Sequence, residues 1–243
     1  MSSPLPKKSA KPEPKVFVAL DVDSPAEAVA IADSLSGLGL GFKLGPRLML
    51  RDGSGLVKTI SQHGSVFVDC KHFDIPSTME AAIRTAFEAG ADYSTIHALS
   101  GPKALQLMAK VEADLNRHRP FRVLTVTVLT SFDKDTLPVH LRGLEVSGLV
   151  EDLAQEARKE GLKSFVCSPL EAARLRKAIP DSYLVTPGIR PSGTSSGDQI
   201  RIETPASAAE AGASALVVGR PILEARDRRE MALRILNEFS ERV

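Results

Sequence analysis

The sequence predicts a single (β/α)₈ TIM barrel, and three observations carry that prediction. Eight short apolar, β-branched runs alternate with helical stretches, most of which open on a Pro. The 243 residues match the length of one such barrel and leave no segment of domain size over. Charged and polar residues recur at the C-terminal ends of the runs, which in a barrel share one mouth. The opposite ends offer no comparable set. An open doubly wound sheet has the same alternation, but no Gly-x-Gly-x-x-Gly follows the first strand.

Residues 1–15 are rich in Pro, Lys and Ser and read as a disordered tail; residues 16–243 form the barrel domain. Val16 to Leu20 is the first strand. Ser24 then offers an N-cap and Pro25 a first helical residue for a helix to about Leu35. Gly41 to Leu44 is the second strand, with a helix from Pro46 to Gln62. Val66 to Lys71 is the third, and Pro76 to Ala89 its helix. Tyr93 to Ala98 is the fourth, followed by Pro102 to Asn116. Arg122 to Leu129, where Val and Leu alternate with Thr, is the fifth, with a helix from Glu145 to Glu160. Ser164 to Cys167 precedes a helix from Pro169 to Ala178. Tyr183 to Thr186 leads into a Gly/Ser-rich loop, Pro187 to Gly197, and a helix near Pro205 to Ala211. Ala215 to Val218 is the eighth strand, and one last helix runs from Pro221 toward the C-terminus.

Composition narrows the function. Hydrophobic residues make up 43%, enough for one large core. Lys and Arg number 31 against 30 Asp and Glu, so nothing draws the whole chain to nucleic acid or to an anionic membrane. No apolar run approaches the roughly 20 residues of a membrane helix. Cys70 and Cys167 sit in strand-like runs and read as small buried hydrophobes, not as a disulfide or metal ligands. A soluble cytoplasmic protein is expected.

The stretch from Val66 to Thr78 concentrates the chemistry. A strand alternates faces, so Asp69 and Lys71 share one face while Val68 and Cys70 share the other. Opposite charges on a buried strand are costly unless something pairs or uses them. Asp74 follows in the loop. The remaining strand ends add Asp21, Lys43, His97 and Thr130, then Arg190 and the Gly219-Arg220 pair. Arg190 and Gln199 flank a Gly/Ser stretch suited to a lid, and Gly219 and Arg220 stand where barrels hold phosphate. The five histidines lack ligand spacing, so no metal is expected, and Lys43 and Lys71 are the expected partners of Asp69 and Asp74. His97 reads as a hydrogen-bonded structural histidine.

The run Asp69-x-Lys71-x-x-Asp74-Ile75-Pro76-x-Thr78 resembles the orotidine 5′-phosphate decarboxylases. The likeness extends through Ala19-Leu20-Asp21, Phe42-Lys43-Leu44-Gly45, Val126 to Thr130, Thr186 to Pro191, Gly197 to Arg201 and Val218 to Ile222. Two departures, Phe73 and Ser77, leave every charged position intact. The resemblance implies cofactor-free conversion of orotidine 5′-monophosphate (OMP) to uridine 5′-monophosphate (UMP) and carbon dioxide. It implies that Lys71 protonates C6 of the pyrimidine and that Asp69 lies beside the substrate carboxylate. It has Lys43 and Asp21 contact the ribose, and Thr130 the pyrimidine. Arg190, Gln199, Arg220 and the Gly219 backbone would hold the phosphate, and Thr78 joins the substrate-binding set. It further implies a homodimer in which Asp74 reaches the neighbouring site. Related barrels acting on sugar phosphates, which need a divalent metal, are the nearest rivals; a binding-only barrel is another.

Overall fold

The computed structural model describes residues 12–191 and 203–241. Gln199, Arg201 and the Gly/Ser stretch around them lie outside the described residues, as do residues 1–11 of the expected tail. Eight parallel strands close in chain order: β1 (Val16–Ala19), β2 (Gly41–Leu44), β3 (Ser65–His72), β4 (Tyr93–His97), β5 (Arg122–Val126), β6 (Ser164–Val166), β7 (Tyr183–Thr186) and β8 (Ala215–Val218). β8 pairs back onto β1, which completes the ring. Around it lie α1 (Pro25–Ser34), α2 (Pro46–Met49), α3 (Ser54–Ile60), α4 (Pro76–Ala89) and α5 (Pro102–Leu115). The circuit continues with α6 (Val146–Lys159), α7 (Pro169–Ala178), α8 (Pro205–Glu210), α9 (Arg220–Leu223) and α10 (Arg228–Ser240).

The expected caps are in place. Ser24 accepts from the Glu27 N–H, Ser168 from the Leu170 N–H, and Thr204 and Ser207 form a reciprocal capping box. Each strand feeds two layers by alternation. On β1, Val16 and Val18 pack outward against the helices, while Phe17 and Ala19 point inside the barrel. The inside is plugged by aromatic rings: Phe17 meets Tyr93 edge-on at 4.9 Å and Phe67 at 5.4 Å. Only a glycine fits opposite, because a Cβ at Gly41 would lie 2.4 Å from the Phe17 ring.

The structure departs from the sequence reading in four places. Order begins before Val16: Glu13 pairs with Arg122 at 2.7 Å, and the Leu216 N–H donates to the Lys15 carbonyl at 2.9 Å. Hydrogen bonding to the barrel's lower rim thus fixes residues whose composition alone suggested a tail. The helix expected from Pro46 to Gln62 is two, broken where Gly53 takes φ +53°. β5 stops at Val126, because its partner β6 is only three residues long, although Thr127 still donates to the Val166 carbonyl. The last helix is also two, since Asp227 caps a fresh start and the Arg228 guanidinium ties the junction to the Leu223 carbonyl.

Candidate active site

The C-terminal ends of the strands open on a cavity of about 770 Å³. Its floor is the aromatic plug, through Phe67, together with Ala19 and Val217. Asp21, Lys43, Asp69, Lys71, Thr130, Arg190, Gly219 and Arg220 all line it, so eight of the residues singled out in the sequence converge. Asp74 and Thr78 do not. They sit exposed at the start of α4, and the Asp74 carboxylate accepts from the Ile75 N–H at 2.6 Å rather than pairing with Lys71. Among the described residues the expected pairing of Asp74 with a lysine is absent, because the loop turns its carboxylate back onto its own backbone. His97 also lies off the cavity; its Nδ1 accepts from the Leu99 N–H at 3.2 Å and its ring lies 5.7 Å from that of Phe73.

The charges form a chain of alternating sign. The Lys43 ammonium lies 3.3 Å from Asp21 and 3.4 Å from Asp69, and Asp69 holds Lys71 through both oxygens at 2.9 and 3.0 Å. Lys43 and Asp69 are buried. Burial opposes the charged form of each, yet the partners prevail. Asp69 and Asp21 hold the Lys43 pKa above the ordinary lysine value, and Lys43 and Lys71 hold the Asp69 carboxyl below the usual carboxylate range. Both buried groups are therefore ionised at neutral pH.

The backbone beneath this array is irregular. Val68 pairs with Ser94 and His72 with Ile96, so Asp69, Cys70 and Lys71 together stand opposite Thr95. Such a bulge re-aims side chains without ending the strand. Lys71 takes φ +47°, the one positive value at a non-glycine among the described residues. A non-glycine in that region costs about 1–3 kcal/mol and persists only where surroundings impose it. Alternation survives: Asp69 and Lys71 face the cavity, whereas Cys70 and His72 face outward toward α3 and α4.

The late strands supply the cations. Arg190 is 8% exposed, and its backbone N–H donates to the Glu203 carbonyl, as the Glu203 N–H donates to the Gly188 carbonyl, so Glu203 is tied to the stretch just past the end of β7. Gly219 lies close over Ala19 and Asp21, leaving its backbone open to the cavity, and Arg220 follows on α9. Arg47 and Thr95 are among the residues that escaped the sequence reading. Arg47 lines the mouth and donates to the Asp21 carbonyl at 3.3 Å, from the first turn of α2 just past the strand end that carries Lys43. Thr95 is fully buried behind Asp69, and alternation from Tyr93 would have pointed it inward.

The opposite end of the barrel holds a smaller cavity of about 420 Å³. Its polar groups are bonded internally: Arg119 pairs with Asp92, Arg122 with Glu13, and the Glu112 carboxyl accepts from the Val123 N–H. The mouth with its two lysines is the candidate site. Among the described residues, no three His, Cys, Asp or Glu side chains are grouped to hold a metal ion.

Comparison with known proteins shows the family. The profile of the orotidine 5′-phosphate decarboxylase / HUMPS family matches residues 14–235. The chain belongs to this family. It is 42% identical over 226 residues to the orotidine 5′-phosphate decarboxylase of Synechococcus sp. (strain WH7803), covering 90% of this chain and 93% of that protein. It is 44% identical over 230 residues to that of Rhodopseudomonas palustris (strain HaA2), covering 93% and 95%. The crystal structure of the Lactobacillus acidophilus orotidine 5′-phosphate decarboxylase superposes with a TM-score of 0.81 at 32% identity, over 93% of this chain and 99% of that one. Among the described residues no helix is long and apolar enough to cross a membrane.

Proposed function

We propose that the chain decarboxylates OMP to UMP, a cytoplasmic step of pyrimidine nucleotide synthesis, without metal or organic cofactor. The observation that carries this reading is the Asp21–Lys43–Asp69–Lys71 array at the cavity floor. When the bond from C6 to the carboxylate breaks, carbon dioxide leaves and the electron pair stays in an in-plane orbital at C6. No ring system delocalises that pair. A fixed ammonium beside C6 stabilises the growing charge and then gives up its proton, forming the C6–H bond. Lys71 takes this role because Asp69 holds it through both oxygens while its side chain remains 38% exposed to the cavity. Water afterwards restores its proton.

The other roles follow from position. Lys43 and Asp21 take the ribose hydroxyls, and Thr130 the pyrimidine. Arg190, Arg220 and the Gly219 backbone take the phosphate, joined by Gln199 from the segment outside the described residues. The phosphate is remote from C6, so its binding energy serves to organise the reacting end. Asp74 and Thr78 do not line this chain's cavity; they stand beside Phe73 and Ile75, each 64% exposed. That apolar edge supports a homodimer in which Asp74 and Thr78 complete the partner's site.

The test is loss of OMP absorbance on adding purified protein with a chelator present. Rapid loss is expected. No loss with chelator, but turnover of a sugar phosphate once a divalent metal is restored, would reject the reading in favour of the family's metal-dependent chemistry.

A further inference from the structure

We propose that Thr95 is a positioning residue for the reaction, acting through both Lys71 and Asp69. The inference rests on the decarboxylase reading above. Thr95 stands alone on β4 opposite the three bulged residues of β3. Its hydroxyl accepts from the Lys71 backbone N–H at 2.8 Å and donates to Asp69 Oδ1 at 3.0 Å. One oxygen thereby ties down the two ends of the bulge. The first bond satisfies the N–H that the left-handed Lys71 backbone has turned away from ordinary ladder pairing. The second fixes the carboxylate that grips the Lys71 ammonium. Thr is suited to the task because its branched Cβ leaves χ1 little freedom, and full burial keeps water from replacing the hydroxyl.

Without that hydroxyl, the Lys71 N–H loses its acceptor and Asp69 loses a neutral donor. Both ammonium–carboxylate contacts remain, so the site keeps its charges but not its aim. Misplacement of this kind costs on the order of 100-fold in rate. Binding of the distant phosphate does not involve Thr95. The loss therefore falls on kcat, with KM nearly unchanged.

The experiment compares Thr95→Val, Thr95→Ala and Thr95→Ser with the wild-type chain on OMP, each checked for folding by thermal denaturation. Val and Ala should lower kcat on the order of 100-fold, and Ser, which keeps the oxygen, should restore most of it. The acid limb of kcat/KM supplies a readout that simple packing does not move. Burial opposes ionisation of Asp69, while Lys43, Lys71 and Thr95 favour it, with Asp21 beyond Lys43. Losing only Thr95 should shift that limb to higher pH. If Val cannot fold, the smaller Ala and Ser variants make the same comparison. Equal kcat across wild type, Ser and Ala would overturn the inference, as would equal losses in Ser and Ala. A wild-type chain that consumes no OMP would overturn the decarboxylase reading as well, which separates the two failures.

Discussion

Asp69 is the residue on which the site turns, because it lies between two ammonium groups and is buried with one of them. Asp69→Asn keeps the shape and removes the anion, leaving Lys43 and Lys71 to repel each other. Turnover should fall on the order of 100- to 1,000-fold, measured as kcat on OMP; an unchanged kcat would show that the carboxylate is dispensable. Arg220→Ala should act differently, raising KM for OMP while UMP lacking its phosphate binds no worse than before. The charged residues of this array were legible in the sequence, since each ends a strand and strand ends share a mouth. The way Lys71 is held was not. A left-handed backbone at a lysine follows from a bulge, and a bulge follows from pairing with β4 that no local pattern announces.

At the scale of elements, strand positions were readable because β-branched runs are short and bounded by Gly, Pro and Asp. Helix continuity was less so. Apolar spacing from Pro46 to Gln62 suits one helix, yet Gly53 at φ +53° separates α2 from α3. That break lets α2 stay short beneath the mouth, where Arg47 reaches the Asp21 carbonyl. α5 carries a testable charge. Burial raises the Glu112 carboxyl from an ordinary 4.5 to about 7, against the lowering effects of the Val123 N–H and Arg122. Between those values the folded chain keeps a proton that the unfolded chain has released, so stability falls as pH rises through the window. Glu112→Gln should flatten that fall and raise Tm on its alkaline side; identical Tm-against-pH curves for both proteins would refute this.

For the whole molecule, the aromatic plug links stability to function, because Phe67, one of the rings that fill the barrel, also floors the cavity. Phe17→Ala leaves a void against Phe67, Tyr93 and Gly41. It should cost about 3–5 kcal/mol in chemical denaturation; a loss well under that range would mean that the barrel collapses around the gap. Assembly bears on the residues this chain leaves outside its own cavity. If Asp74 serves the partner's site, mixing inactive Asp74→Asn and Lys71→Ala chains should restore about a quarter of the sites after subunit exchange. No recovery in a mixture shown to exchange would confine the active site to one chain. The central claim is that a single ammonium, held by Asp69, gives C6 its proton. The direct measurement is turnover of OMP by folded Lys71→Ala, alongside its affinity for UMP. Turnover should vanish while UMP still binds; turnover near the wild-type rate would contradict the account.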